Sequence, residues 1–152
     1  RLRKLKTGEY DALVLAMAGL KRMGADARII WPIPYEVMLP APGQGALAVQ
    51  IRRGETSLEA MVSRLEDPAP RRSVTAERAF LSRLGGGCQL PLGTLATFEG
   101  EKTTLRGVLL SEDGKKEIRS QVTETGDAES VGGKLAEIFF EKGAEALLNG
   151  KG

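Results

Sequence analysis

The sequence has 152 residues, enough to bury at least one ordinary hydrophobic core, and its formal net charge is only +2. Its 41% hydrophobic and 28% charged residues are typical of a globular protein and argue against a disordered chain. The single cysteine excludes an internal disulfide framework, and the lack of histidine removes the usual zinc sites, so we expect no bound metal. No apolar run approaches the ~20 residues of a membrane span, and no secretion signal is recognisable, so we expect a cytoplasmic protein without membrane contact.

Positive charge is concentrated near the start of the sequence. This distribution suits either a surface that meets an anionic ligand or an ordinary solvated helix face. Nucleic acid is a poor partner, because only 5% of the residues are aromatic and the net charge is small. The cationic residues of segment 1–28 are Arg1, Arg3, Lys4, Lys6, Lys21, Arg22 and Arg28, against Glu9, Asp11 and Asp26.

The first residues predict a helix, a strand and a second helix. Residues 1–5 have the pattern of a helix end without a helix start, which indicates a fragment of a longer protein. Residues 12–17 are an unbroken apolar run, typical of a strand buried on both faces of a parallel sheet. Helical spacing follows over 18–23 and ends at Gly24. Arg22 would then lie near the carboxyl end of the strand, where open α/β folds bind ligands.

Prolines divide the middle of the sequence. The prolines between residues 31 and 45 predict a stiff, extended crossing segment that no helix can occupy. Residues 46–51 form a second apolar run of strand length, and 57–65 have the spacing of an amphipathic helix. The Asp-Pro-Ala-Pro sequence at 67–70 indicates a second boundary.

The last part of the sequence predicts a small α+β unit. A helix over 71–84 is stopped by the glycines from residue 85, and an Asp-Gly pair indicates a hairpin turn. A three-stranded antiparallel sheet covered by helices follows from this pattern, so the whole chain combines α/β and α+β features. The predicted strands are 95–98, 103–110 and 116–123, and the closing helices are 128–142 and 144–148.

The most informative stretch is the glycine-rich loop that contains Cys88. Three successive glycines, Gly85 to Gly87, are costly unless the backbone must bend sharply or another group must approach closely. A lone cysteine is usually a small buried hydrophobic residue. Its position on a loop directly after a helix favours a reachable thiol instead.

Three segments together resemble the porphobilinogen deaminase (hydroxymethylbilane synthase) family. They are residues 8–22 (GEYDA to AGLKR), 39–46 (LPAPGQGA) and 75–93 (TAERAF to GGCQLPLG). The resemblance extends in order over essentially the whole sequence. It implies the C-terminal half of a three-domain enzyme, with the end of domain 2 in 1–39, a crossing segment that returns a strand and a helix to domain 1 in 40–67, and domain 3 in 68–152.

The resemblance implies a transferase of tetrapyrrole (haem and chlorophyll) biosynthesis. Such enzymes condense four porphobilinogen molecules into hydroxymethylbilane and release ammonia. Loss of ammonia from the substrate leaves an electron-poor azafulvene, which a thiolate or a pyrrole carbon can attack. By the same resemblance, Cys88 holds a dipyrromethane cofactor through a thioether, and this cofactor primes the growing polypyrrole.

The resemblance also assigns roles to single residues. Each pyrrole carries an acetate and a propionate, which guanidinium groups bind well. Arg1 falls on a position that binds the cofactor, Arg22 and Gln44 fall on substrate-binding positions, and Arg78 has a structural role in supporting the cofactor loop. The family's catalytic aspartate precedes this sequence, so we expect no catalytic residue in this chain. By the same resemblance, none of Asp11, Asp26, Asp67 and Asp113 inherits the role.

The expected partners are porphobilinogen, the growing polypyrrole and the N-terminal half of the same enzyme, with the complete enzyme a monomer. Two other readings stay open. The C-terminal unit also suits a small ligand-sensing or interaction module without catalysis, which predicts no adduct on Cys88. An RNA contact by the basic N-terminal segment is the weaker alternative.

Overall fold

The computed structural model describes residues 1–25, 31–87 and 89–149. It divides into two compact units, Arg1–Pro34 and Tyr35–Gly152, and each is described by itself. Of the residues singled out above, Asp26, Arg28 and Cys88 lie outside the described residues.

The first unit contains two short helices, α1 (Leu2–Lys6) and α2 (Met17–Arg22). Helix α2 ends as the sequence predicts, because Gly24 adopts a left-handed φ of +63°. There the Gly24 N–H donates to Lys21 O at 3.0 Å and the Ala25 N–H donates to Leu20 O at 2.8 Å. These bonds satisfy carbonyl groups that would otherwise lack partners at the helix end.

The two strands predicted over residues 12–17 and 46–51 are not formed in this chain. Residues 12–16 and 46–51 are irregular, and Met17 already belongs to α2. Val14 is 64% exposed and Leu47 is 77% exposed. The physical reason is that a strand completes its backbone hydrogen bonds only beside another strand, and neither segment has a neighbouring strand within the part of the chain that the structure describes.

The second unit begins at Tyr35, inside the proline-rich segment 31–45. As predicted, this segment contains no helix, and it has turns at 35–37 and 42–45. Helix α3 (Thr56–Val62) follows and continues as one 3₁₀ turn, Ser63–Leu65. This confirms the predicted helix over 57–65. Its apolar side chains are not covered, however, since Met61 is 67% exposed and Leu65 is 74% exposed.

Helix α4 (Pro68–Arg83) starts three residues earlier than the sequence predicted. Asp67 is its N-cap, and its Oδ1 accepts a hydrogen bond from the Ala69 N–H at 3.0 Å. Proline suits the first helical position, where its missing N–H would have no intrahelical partner. The predicted boundary at 67–70 thus coincides with the start of a helix.

The C-terminal sheet confirms the predicted meander. Strands β1 (Leu92–Glu99), β2 (Lys102–Leu110) and β3 (Glu117–Thr125) are antiparallel in the order β1-β2-β3. Leu95 pairs with Arg106, and Arg106 pairs with Gln121.

Helices α4, α5 (Ala128–Glu141) and α6 (Ala144–Leu148) pack on one face of this sheet. The Phe80 and Phe139 rings meet edge to face with centroids 4.9 Å apart, and both residues are fully buried. Leu105 and Leu109 of β2 lie in the same core. This shared core therefore holds α4 and β1 in fixed positions. In the sequence, α4 precedes Cys88 and β1 follows it.

Candidate functional site

The chain leaves helix α4 through a defined hydrogen-bonded turn. Gly85 has a φ of +99°, which a residue with a side chain rarely adopts. The Gly85 N–H donates to Ser82 O at 3.2 Å, and the Gly86 N–H donates to Leu81 O at 2.9 Å. This pair of bonds is a Schellman motif, and it sets the direction in which the backbone approaches residue 88.

Backbone hydrogen bonds also fix the chain after residue 88. The Leu90 N–H donates to Gly87 O at 3.2 Å, and the Leu110 N–H donates to Pro91 O at 3.0 Å. Strand β1 begins directly afterwards. Because Cys88 lies outside the described residues, the accessibility of its thiol stays a prediction.

The loop before Cys88 borders open space. Among the described residues, and leaving aside its two chain neighbours, a Cβ atom built on Gly85 would meet no atom within 4 Å, and one built on Gly87 would meet only the Gln89 nitrogen at 4.0 Å. Gly86 is closer to the helix, with the Ser82 Cα at 3.4 Å from such an atom. A bulky group attached to this loop would therefore have room beside Gly85 and Gly87.

Residues 39–44, called the crossing segment below, run along the free edge of β1. Leu39 is only 6% exposed, and a Cβ atom on Gly93 would lie 2.9 Å from the Leu39 Cβ. The Thr94 N–H donates to Pro40 O at 2.8 Å. The crossing segment therefore covers an edge that would otherwise expose unpaired backbone groups.

Glu77 on helix α4 binds both the crossing segment and β1. Its Oε2 accepts a hydrogen bond from the Gly43 N–H at 2.7 Å, and its Oε1 accepts one from the Ala96 N–H at 3.0 Å. Burial raises the pKa of Glu77 above its ordinary value, and the two backbone hydrogen bonds oppose that shift. Glu77 is therefore a buried carboxyl group, and its two backbone hydrogen bonds offset part of the cost of burying its charge.

Gln44 directly follows the residue that Glu77 binds. It is exposed, and its backbone N–H donates to Ala41 O at 3.0 Å within a turn. Its side chain is available to a ligand, and its backbone is tied through Gly43 to the helix that leads to Cys88. The structure thus connects Gln44 to the loop region, although the two are far apart in sequence.

Arg1 and Arg22 belong to the other unit. Arg1 is the N-cap of α1 and Arg22 is the last residue of α2, and both are exposed. Neither guanidinium makes a side-chain hydrogen bond or ion pair with any residue that the structure describes. Arg78 is likewise exposed on α4, so its support of the loop stays a prediction.

Two of the four aspartates considered above, Asp67 and Asp113, have structural partners. Asp67 caps α4, and the Asp113 Oδ1 accepts hydrogen bonds from the Ser111 hydroxyl at 2.7 Å and the Lys115 N–H at 3.1 Å. The Ser111 hydrogen bond, followed by those from Lys115, lowers the pKa of Asp113. Both carboxylates are thus engaged at a helix start and a hairpin turn.

The described residues contain neither a metal-binding cluster nor a membrane-spanning helix. Residues 1–25, 31–87 and 89–149 contain no group of three His, Cys, Asp or Glu side chains placed to hold a metal ion. Over the same ranges no helix has the length and hydropathy needed to cross a membrane.

Glu77 lies in the TAERAF segment, but no local pattern in the sequence indicates its role. A signal of its burial was present, because Glu77 lies beside Ala76 and one turn before Phe80 on the face of α4 that the apolar spacing predicts to be buried. A carboxylate on such a face needs a buried partner. The identity of that partner depended on the crossing segment, whose position the sequence did not predict.

Comparison with known proteins identifies the family. Residues 1–60 match the model described as "Porphobilinogen deaminase, dipyromethane cofactor binding domain", and residues 72–141 match "Porphobilinogen deaminase, C-terminal domain". The chain belongs to the porphobilinogen deaminase family. The second match spans α4 to α5 and so contains the Cys88 loop, while the first contains the crossing segment.

Individual porphobilinogen deaminases are similar over almost the whole chain. The protein from Roseiflexus sp. (strain RS-1) is 45% identical over 150 residues, which is 99% of this chain and 50% of the relative. The protein from Rubrobacter xylanophilus is 46% identical over 149 residues, 97% of this chain and 48% of the relative. The protein from Nostoc sp. is 42% identical over 150 residues, which is 98% of this chain and 46% of the relative. The chain thus spans about half the length of the curated relatives it matches.

Proposed function

We propose that this chain is the C-terminal half of a hydroxymethylbilane synthase, which condenses four porphobilinogen molecules into hydroxymethylbilane and releases ammonia. The observation that carries the proposal is that two family models match in order along the chain, and that the second match contains the glycine loop with the only cysteine of the sequence. The proposed domains are the end of domain 2 in 1–39, the crossing region in 40–67 and domain 3 in 68–152. The complete enzyme is proposed to be a cytoplasmic monomer.

In this proposal Cys88 holds a dipyrromethane cofactor through a thioether. Two observations support attachment of such a group at this loop. The backbone is hydrogen-bonded on both sides of residue 88, and the space beside Gly85 and Gly87 is open. When bound, the cofactor supplies the pyrrole carbon to which the first substrate unit is joined. The protein's own contribution is to hold the attachment point and to leave room for the chain that grows from it.

Arg1, Arg22 and Gln44 are proposed to bind the pyrrole side chains. Each pyrrole unit brings an acetate and a propionate, so the product gains negative charge with every step. Guanidinium groups bind carboxylates with two parallel hydrogen bonds, and an exposed arginine whose guanidinium has no partner among the described residues is available for this role. Arg1 is proposed to contact the cofactor, and Arg22 and Gln44 the substrate.

The catalytic carboxylate is proposed to come from the N-terminal half of the same enzyme. The relatives are about twice as long as this chain, which leaves room for a half of similar size. Exposed apolar side chains favour the same conclusion, because they form surfaces that another part of the enzyme would cover. They include Val14, Met23 and Trp31 in the first unit, and Leu47, Val49, Met61 and Leu65 in the second.

The proposal is tested by the mass of this chain when it is produced in cells together with its N-terminal half. We expect a mass above that of the bare sequence by one dipyrromethane, and Cys88→Ser should lose both the adduct and bilane synthesis. In a matched control, Cys88→Ser is combined with Ser63→Cys, which moves the thiol to an exposed helical position. This thiol should stay unmodified. Normal turnover by Cys88→Ser would show that the assignment is wrong and would leave the non-catalytic module as the better reading.

A further inference from the structure

Glu77 joins three elements: α4, the crossing segment and β1. Helix α4 carries Glu77 and ends shortly before Cys88, and β1 begins shortly after it. The third element is the crossing segment, in which Gly43 directly precedes Gln44. One carboxylate therefore connects a proposed substrate contact to both elements that flank the proposed cofactor attachment point.

Stability alone is a poor explanation for a carboxylate at this position. Glu77 is 6% exposed, and its hydrogen-bond partners among the described residues are backbone N–H groups, with no cation beside it. Burying a carboxylate without a cation is costly. What a carboxylate offers is two acceptor oxygens in a fixed geometry, which matches two separate N–H donors. A glutamine would offer one acceptor and one donor.

The crossing segment is tied to β1 at two further points. Leu39 packs against Gly93, and Pro40 O accepts the hydrogen bond from the Thr94 N–H at 2.8 Å. These contacts fix the start of the segment. Gly43 is fixed by Glu77, so without that carboxylate the hydrogen bonds of residues 41–45 within the described part of the chain would be those of their own turn.

We propose that Glu77 is a positioning residue that fixes Gln44 relative to α4 and β1, the two elements that flank Cys88 in the sequence. The inference rests on the proposed function, because it concerns how that reaction is organised. Glu77 does not contact substrate and acts through the backbone of Gly43. Its loss should therefore impair the same step as the loss of the Gln44 side chain, and the two losses should not add.

The test is a double-mutant cycle in the complete enzyme that contains this chain. Glu77→Gln keeps the size of the side chain but replaces one acceptor oxygen by a donor. Glu77→Gln and Gln44→Ala should each slow conversion of bound intermediates to hydroxymethylbilane about tenfold. The double variant should be no slower than Gln44→Ala alone. The matched control is Glu137→Gln, an exposed glutamate of α5 that should leave the rate unchanged in both backgrounds.

Amide hydrogen exchange supplies a second readout. The Gly43 amide should exchange faster in Glu77→Gln than in the wild type and should be unaffected by Glu137→Gln. If Glu77→Gln does not fold, the cycle is run with Glu77→Asp, whose shorter carboxylate cannot reach both donors. Additive rate losses, an unchanged Gly43 amide, or a Gln44→Ala enzyme of normal rate would each overturn the proposal.

Failure of the proposed function gives a different result. A complete wild-type enzyme without an adduct on Cys88 and without bilane synthesis overturns both proposals. Additive losses in an enzyme that carries the adduct and makes bilane overturn only the role of Glu77.

Discussion

Leu39 occupies the space that a side chain on residue 93 would need. A Cβ atom at Gly93 would lie 2.9 Å from both the Cβ and the carbonyl oxygen of Leu39, and 2.9 Å from a methyl group of Val108. Real Cβ atoms essentially never come this close to other atoms. The glycine that ends the CQLPLG sequence is therefore required by the close approach of the crossing segment to the sheet.

Replacing Gly93 with alanine should destabilise the second unit. The added methyl group meets backbone as well as side-chain atoms, so we expect a loss of about 1 to 3 kcal/mol in the free energy of unfolding. Urea unfolding measures it. The matched control is Gly133→Ala in α5, where the nearest atom, Arg83 Nε, is 3.9 Å away. That change should be neutral or stabilising, because alanine is the better helix former. Equal stability of Gly93→Ala and the wild type would contradict the described contact.

The free energy of unfolding should change with pH differently in the wild type and in Glu77→Gln. The folded pKa of Glu77 is raised above the ordinary 4.5 by burial. Between 4.5 and the folded pKa, the folded state binds more protons than the unfolded state. The favourable contribution of the protonated group is therefore complete below about pH 4.5 and is lost as the pH rises through the folded pKa.

The measurement is the difference in unfolding free energy between the wild type and Glu77→Gln over a pH series. We expect this difference to favour the wild type most at the acid end and to decline with increasing pH. The comparison cancels the carboxylates with lowered pKa values, such as Asp113 and Asp127, which affect both proteins equally. Parallel stability curves would show that Glu77 titrates normally.

The sequence predicted the C-terminal unit well because its signals are local. Alternation along the strands, an Asp-Gly turn and glycines after α4 each depend on neighbouring residues, and the meander that they predict is the one observed. The observed helix α4 begins at Pro68 and not at the predicted residue 71, because Asp67 caps its first turn.

The errors have one physical cause. Residues 12–17 and 46–51 have the composition of buried strands, but composition cannot show whether a neighbouring strand is present. The role of Glu77 was missed for a related reason, since its partners Gly43 and Ala96 are distant in sequence. Long-range contacts of this kind follow from the fold and not from local patterns.

Replacing Arg22 with lysine should weaken substrate binding in the complete enzyme. Lysine keeps the charge but loses the planar group that binds a carboxylate through two hydrogen bonds, so we expect a loss of about 1 to 3 kcal/mol. Titration with porphobilinogen and the pattern of partly elongated intermediates measure it. The matched control is Lys21→Arg at the neighbouring exposed position, which should change neither. Normal affinity and a normal pattern in Arg22→Lys would remove Arg22 from the proposed site.

This chain alone should not polymerise porphobilinogen, and its parts should differ in stability. Residues 92–125 form a complete sheet under three helices, so their amides should exchange slowly. Residues 12–16 and 46–51 are irregular and carry exposed apolar side chains, so their amides should exchange fast. Adding the N-terminal half should slow exchange in these two segments and restore bilane synthesis, because that half would supply neighbouring strands and the catalytic carboxylate. Bilane synthesis by the chain alone, or equally slow exchange along its length, would show that the proposed division of the enzyme is wrong.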